Sequence, residues 1–243
     1  MNALVAVYEV AGRMTEAREA YESALVLQRE TGNRRGATVV LQGLVELYAG
    51  LGELDLARRT LEEATAEARD LGDRRLDGYL ILGRGRIHAD CDELEPARAC
   101  IEEGLAILEQ ADDRVGIGTA LFELGELALR VGDRSGAEDR LRAALACLEG
   151  RSGPSWAEWL AALGEALGSL DPVASAHALD QAIAAARAGG WHHILASSLC
   201  RRARVFGDRP ALHEAEEMAN RAGEAESSRL RRDLLRTRTV LGI

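Results

Sequence analysis

The sequence predicts an all-α fold, a solenoid of about six antiparallel helix pairs followed by a C-terminal capping helix. Three observations predict it. Shifting the chain by 40 residues aligns Ala17, Ala57, Ala97 and Ala137 without a gap, and, seven residues further on, Ala24, Ala64, Gly104 and Ala144. A fixed period of this length marks a helical repeat in which each unit buries its apolar face against the next. Apolar residues recur at helical spacing inside the period, as in Leu41, Leu44, Val45 and Tyr48. Finally, 47% of the residues are hydrophobic but only two are Phe, three Trp and four Tyr, so the core is Leu and Ala, a composition that favours helices over strands.

The units follow in order. Their boundaries are about 1–33, 34–73, 74–113, 114–153, 154–190 and 191–224, with the capping helix at 225–243 and the whole chain forming a single repeat domain. In the second unit the first helix spans Gly36 to Gly50 and the second Leu54 to Asp70. A large apolar residue sits between the two small ones of each second helix, at Tyr21, Leu61, Ile101 and Leu141. Turns inside units carry Gly12, Gly52 and Gly132, with Asp92 in the third copy. Between units the chain reads Gly32-Asn33, Gly72-Asp73 and Asp112-Asp113, and the Asn or Asp is placed to cap the helix that follows. The fifth copy needs a shift of 38, giving Leu179, Ala182 and Ile183 after Asp171-Pro172. The sixth runs from about Trp191 to Val205, turns at Gly207 to Pro210, and continues through Ala215 and Ala222. In the last helix Leu230, Leu234 and Leu241 form the packing side, with Arg229, Arg231, Arg232, Arg236 and Arg238 around it. The four prolines, at 96, 154, 172 and 210, each stand near a helix start.

Composition removes several function classes. A net charge of −10 is repelled by phosphate backbones, so nucleic acid is not an expected partner. All thirty cationic residues are Arg, which excludes the P-loop lysine, a Schiff base and the kinase strand lysine. Cys91, Cys100, Cys147 and Cys200 form no C-x-x-C pair, and reduced thiols with a cytoplasmic location are expected. No segment has the length and apolarity of a membrane span.

The pattern of Leu44, Tyr48, Gly52, Ala57, Leu61 and Ala64 resembles the tetratricopeptide repeat family, in a long 40-residue variant found in bacterial signalling and regulatory proteins. Gly85 and Gly125 match the family's small residue in the first helix, whereas Val5 and Val45 depart from it. Arg84 stands in place of Leu, so the third unit is expected to pack less regularly. The resemblance implies a right-handed superhelix whose concave groove is lined by first helices and holds a protein or peptide. Residues turned away from the packing stripe of the first helices are then the candidate partner-binding set: Gln42, Glu46, Tyr79, Leu82, Arg86, Phe122, Glu126, Arg201 and Arg204. Apolar anchors there would supply affinity and charges would set register. The competing explanation is that Glu46, Arg86 and Glu126 form ion pairs between repeats while Phe122 packs.

Other signals are weaker. Gly83-Arg84-Gly85 and Gly116-Ile117-Gly118 fall inside helices and follow no strand, so they are not phosphate loops. His213-Glu214-Ala215-Glu216-Glu217 lacks the second histidine of a zinc-protease motif. Trp156 and Trp159 are expected to fill the core at the start of the fifth unit. No catalytic, cofactor or metal set converges by spacing, and an enzyme is not expected. The first helix begins almost at Met1 with Leu4, Val5 and Tyr8 already at packing positions. That start suggests a part of a larger protein, or self-association through the N-terminal helix. The expected function is a scaffold that binds protein or peptide. A small-molecule sensor attached to a kinase or ATPase, or an oligomerisation module, are the alternatives.

Overall fold

The structure, a computed structural model, describes residues 14–69, 71–149, 151–222 and 228–243. The expected packing of Leu4, Val5 and Tyr8, and with it self-association through that first helix, lies outside the described residues. Twelve helices and no strand occur among the described residues: α1 (Met14–Glu30), α2 (Arg34–Leu51), α3 (Leu54–Ala68), α4 (Arg74–Asp90), α5 (Leu94–Gln110), α6 (Arg114–Arg130), α7 (Arg134–Cys147), α8 (Pro154–Leu167), α9 (Pro172–Gly189), α10 (His192–Phe206), α11 (Arg209–Arg221) and α12 (Arg229–Leu241). None is long and apolar enough to cross a membrane. Sequential helices pack as hairpins, α2 with α3, α4 with α5, α8 with α9 and α10 with α11. The chain forms two compact units, one ending at Ala120 and one beginning at Leu121.

Helix starts are set by side-chain caps. The Asn33 carboxamide oxygen accepts from Gly36 N at 3.0 Å, and Asp73, Asp133, Asp171 and Asp208 cap α4, α7, α9 and α11 in the same way at 2.9–3.2 Å. The turns inside hairpins close on a left-handed residue, Gly52 at φ 76° and Gly132 at φ 82°. In the third repeat Asp92 takes this conformation at φ 65°, and Glu93 N still reaches His88 O at 3.0 Å. Aspartate tolerates that region better than most side chains, which explains why it replaces glycine there.

The first unit is built on Leu41, Leu44, Val45, Leu47, Tyr48, Leu61, Leu76, Leu80 and Ile87. The second has two apolar clusters, one around Leu141, Trp159, Leu163 and Leu179, the other around Leu195, Leu199, Leu212 and Leu230. In both units the aligned alanines are the points of closest packing: Ala17, Ala57, Ala64, Ala97, Ala137 and Ala144 are buried to 0% exposure or within rounding of it. The glycines opposite complete the fit. A Cβ on Gly85 would lie 2.7 Å from Ile101 Cγ1, one on Gly125 2.7 Å from Leu141 Cγ, and one on Gly164 2.7 Å from Leu179 Cγ. The first helices α4, α6 and α8 thus each receive the large residue of the following helix in the space of a missing methyl.

The third unit does not pack loosely. Its helices α4 and α5 are closely apposed, and Arg84 lies on the surface with Nη2 3.4 Å from Glu103 Oε2. Gly85 and Gly104, both buried, compensate by admitting Ile101 and Leu82.

Gly83 and Gly85 give a contrast within one helix. A Cβ at Gly83 finds its nearest neighbour at 3.6 Å, whereas at Gly85 it also meets Ala97 O at 3.2 Å. Gly83→Ala is expected to stabilise by about 0.5–1 kcal/mol through helix propensity. Gly85→Val is expected to destabilise by about 1–3 kcal/mol through overpacking. Urea unfolding of the two variants measures both signs.

Candidate functional site

In the first unit the candidate residues lie on α2 and α4. Gln42 is half-buried, Glu46 is exposed, and Arg86 Nη1 stands 3.8 Å from Glu46 Oε1. That distance is an ion pair without a hydrogen bond, on side chains 18% and 46% exposed, and its energetic weight is small. Tyr79 is half-buried and its hydroxyl donates to Asp113 Oδ2 at 3.3 Å. Burial, with the Asp113 carboxylate beside it, pushes the phenol up to about 12. Asp113 also caps α6 through Val115 N and Gly116 N, both at 3.1 Å, and pairs with Arg75 Nε at 3.1 Å. Tyr79 therefore contributes to fixing the junction between α4 and α6. Leu82 is 4% exposed and fills the space of the methyl that Gly104 lacks, so it packs inside the hairpin.

In the second unit Phe122 is buried and stacks on Trp159, with ring centroids 5.6 Å apart and an interplanar angle of 17°. Trp159 fills the core, and Trp156 packs partly buried against the same cluster. The charged candidates meet: Arg201 Nη2 donates to Glu126 Oε2 at 2.9 Å, although the two are 75 residues apart in sequence. Arg201 Nη1 also donates to Glu165 Oε2 at 2.6 Å. Arg204 donates to both Glu165 oxygens at 2.8 and 2.9 Å, to Asp233 Oδ1 at 2.6 Å and to Thr237 Oγ1 at 2.8 Å. Side chains of Arg201, Arg204 and Glu165 are 8%, 5% and 7% exposed. One buried network thus joins α6, α8, α10 and α12.

Burial alone would raise the Glu165 carboxyl, but the charges of Arg204 and Arg201 outweigh it and hold the group far below the usual carboxylate range. Burial likewise opposes the charge on both arginines, and the surrounding carboxylates hold them above the ordinary guanidinium range.

Glu165 and Asp233 were not among the residues singled out from the sequence. A signal was present. Glu165 is the single charge in the buried run of α8 from Trp159 to Leu167, and a lone acid in such a run needs a partner. It also continues a column of first-helix positions, Glu46, Arg86, Glu126, Glu165 and Arg204, spaced by 39 or 40 residues. Among the described residues no group of three His, Cys, Asp or Glu is placed to hold a metal ion. His213 pairs with Glu217 at 3.3 Å on the outside of α11.

Removing one member of a buried ion network leaves charges without partners. Glu165→Ala is expected to cost about 3–5 kcal/mol, against under about 1 kcal/mol for Glu138→Ala, whose partner Arg142 is half-exposed. The depressed Glu165 carboxyl contributes stability that is complete above its unfolded value, about 4.3, and is lost progressively as pH falls below it. Urea titrations at pH 7 and pH 3 are expected to show wild type losing more stability than Glu165→Ala over that interval.

The family model of the tetratricopeptide repeat matches residues 1–70. No curated protein sequence matches the chain significantly. Among solved structures, the Rap protein complexed with Competence and Sporulation Factor superposes with a TM-score of 0.69 at 16% identity, covering 98% of this chain and 73% of that one. BtubC (BKLC) from P. vanneervenii superposes with a TM-score of 0.55 at 20% identity, covering 77% and 78%. Residues 1–70 thus match the tetratricopeptide repeat, and the helix hairpins that continue from them share the fold of these solved structures.

Proposed function

We propose that the chain is a protein-interaction scaffold that holds a peptide segment on the first-helix face of its first unit, as part of a bacterial signalling or regulatory protein in the cytoplasm. The observation that carries this reading is the contrast between the units. In the second, Arg201 and Arg204 are buried and both bonded to the buried Glu165, with Arg204 making bonds to three residues. In the first, Glu46 and Arg86 occupy the same column but do not hydrogen-bond to each other, and Glu46 stays exposed. The exposed Glu46 carboxylate can set the register of an extended ligand, while Gln42 one turn before it supplies both donor and acceptor for the ligand's backbone. The fold shared with a Rap protein solved together with the Competence and Sporulation Factor supports a reading in which helix hairpins of this kind hold a second molecule.

Peptides selected from a random display library on the immobilised chain are expected to lose at least about tenfold in affinity, some 1.4 kcal/mol, when Gln42, Glu46 and Arg86 are all changed to Ala. Changing Glu102 to Ala on the exposed side of α5 is expected to leave affinity unchanged. Isothermal titration measures both. Selected peptides that bind the triple variant as tightly as wild type would overturn the assignment.

A further inference from the structure

The ion network of the second unit has a seam. Arg204 is held on one side by Glu165, whose two oxygens it bonds at 2.8 and 2.9 Å, and on the other by Asp233 Oδ1 at 2.6 Å and Thr237 Oγ1 at 2.8 Å. Glu165 and Arg204 belong to α8 and α10, whereas Asp233 and Thr237 both belong to α12. When α12 moves away, Arg204 keeps its bidentate carboxylate, and the Asp233 side chain, already 19% exposed, passes into water. No charge is stranded in the interior by that separation. Parting Glu165 from the two arginines would strand several.

The rest of the attachment is slight. The side chains of Leu230, Leu234 and Thr237 are buried where α12 packs on α10 and α11. Two leucines offset only part of the entropy lost in ordering the thirteen residues of the helix, so docking depends on the clasp around Arg204. The bonds of α12 to α11, Arg238 Nε to Glu216 Oε1 at 2.7 Å and Arg231 Nη2 to Asn220 Oδ1 at 2.8 Å, are exposed, where such contacts weigh little.

The clasp closes over a thiol. Cys200 on α10 has no exposed surface, with the Thr237 hydroxyl within bonding reach and the Asp233 carboxylate beside it. Burial and that carboxylate push the thiol well above its ordinary range. Cys91, Cys100 and Cys147 are partly exposed. Reagents therefore meet Cys200 only when the residues above it leave.

We propose that α12 is a latch: it lifts from α10 as one piece while α8 to α11 stay folded, and the grip of Asp233 and Thr237 on Arg204 sets how often it opens. Opening uncovers Cys200 and frees the Arg204 Nη1 donor. This device is independent of what the first-helix face of the first unit holds.

Thiol labelling of the full chain tests it, with Cys91, Cys100 and Cys147 changed to Ser so that Cys200 alone reacts with a dithiobis-nitrobenzoate reagent. Cys200 is expected to react through an opening far less sensitive to urea than unfolding of the chain. Asp233→Ala and Thr237→Val are each expected to speed labelling about tenfold, whereas Leu179→Ala, which weakens the core outside the seam, is expected to leave the rate unchanged. Hydrogen exchange of the wild-type chain gives a second reading that needs no cysteine changes: the amides of α12 are expected to exchange together, ahead of those of α10. Labelling with the urea dependence of global unfolding overturns the proposal. So does a rate that neither α12 variant raises, a Leu179→Ala rate raised as much as theirs, or exchange of α12 no earlier than that of α10.

Discussion

Each hairpin closes where the side chains end at Cβ or before it. The alanines at 57, 97 and 137 lie against the partner helix with no exposed surface, and the glycines at 85, 125 and 164 give up a methyl so that Ile101, Leu141 and Leu179 can enter. Small residues bring two helix axes near enough for the large ones to interdigitate, and the dense interior that results cannot absorb an added carbon without moving a neighbour. Capping and turn geometry serve this contact. Asn33, Asp73, Asp133, Asp171 and Asp208 fix where helices start, and left-handed residues at 52, 92 and 132 return the chain into the pair.

The two units handle the same register position differently. Glu46 and Arg86 remain partly in water, where their attraction to each other is weak and the exposed Glu46 carboxylate can turn to another molecule. Glu165 and Arg204 occupy equivalent positions but are enclosed, and enclosure makes each dependent on the other. The helix α12 belongs to that arrangement through Asp233 and Thr237. An apolar core of the same volume would have held the helices as well. The ionic one, however, specifies which face of α12 turns inward, since only one rotation presents Asp233 to Arg204. That choice leaves Leu235 and Ile243 outside.

How much of this was legible beforehand divides along physical lines. The 40-residue period of Ala17, Ala57, Ala97 and Ala137, the capping Asn and Asp residues and the turn glycines are local signals, each constraining a few backbone angles or one helix face, and together they determined the helix pairs and their order. The buried roles of Trp159 and Leu141 followed from the same periodicity. Side chains at the edge of a stripe carry no such signal: Leu82 and Phe122, placed on the exposed side by spacing, turn into the core because Gly104 leaves room for one and Trp159 stacks on the other. The joining of Glu126 with Arg201 across 75 residues depends on how α6, α8 and α10 are laid side by side, which no single repeat encodes. Sequence by itself determined the repeating hairpin, because that rests on contacts between near neighbours in the chain. Tertiary structure alone decided which charges are enclosed with one another and which stay in contact with water, because burial is a property of the assembled helices.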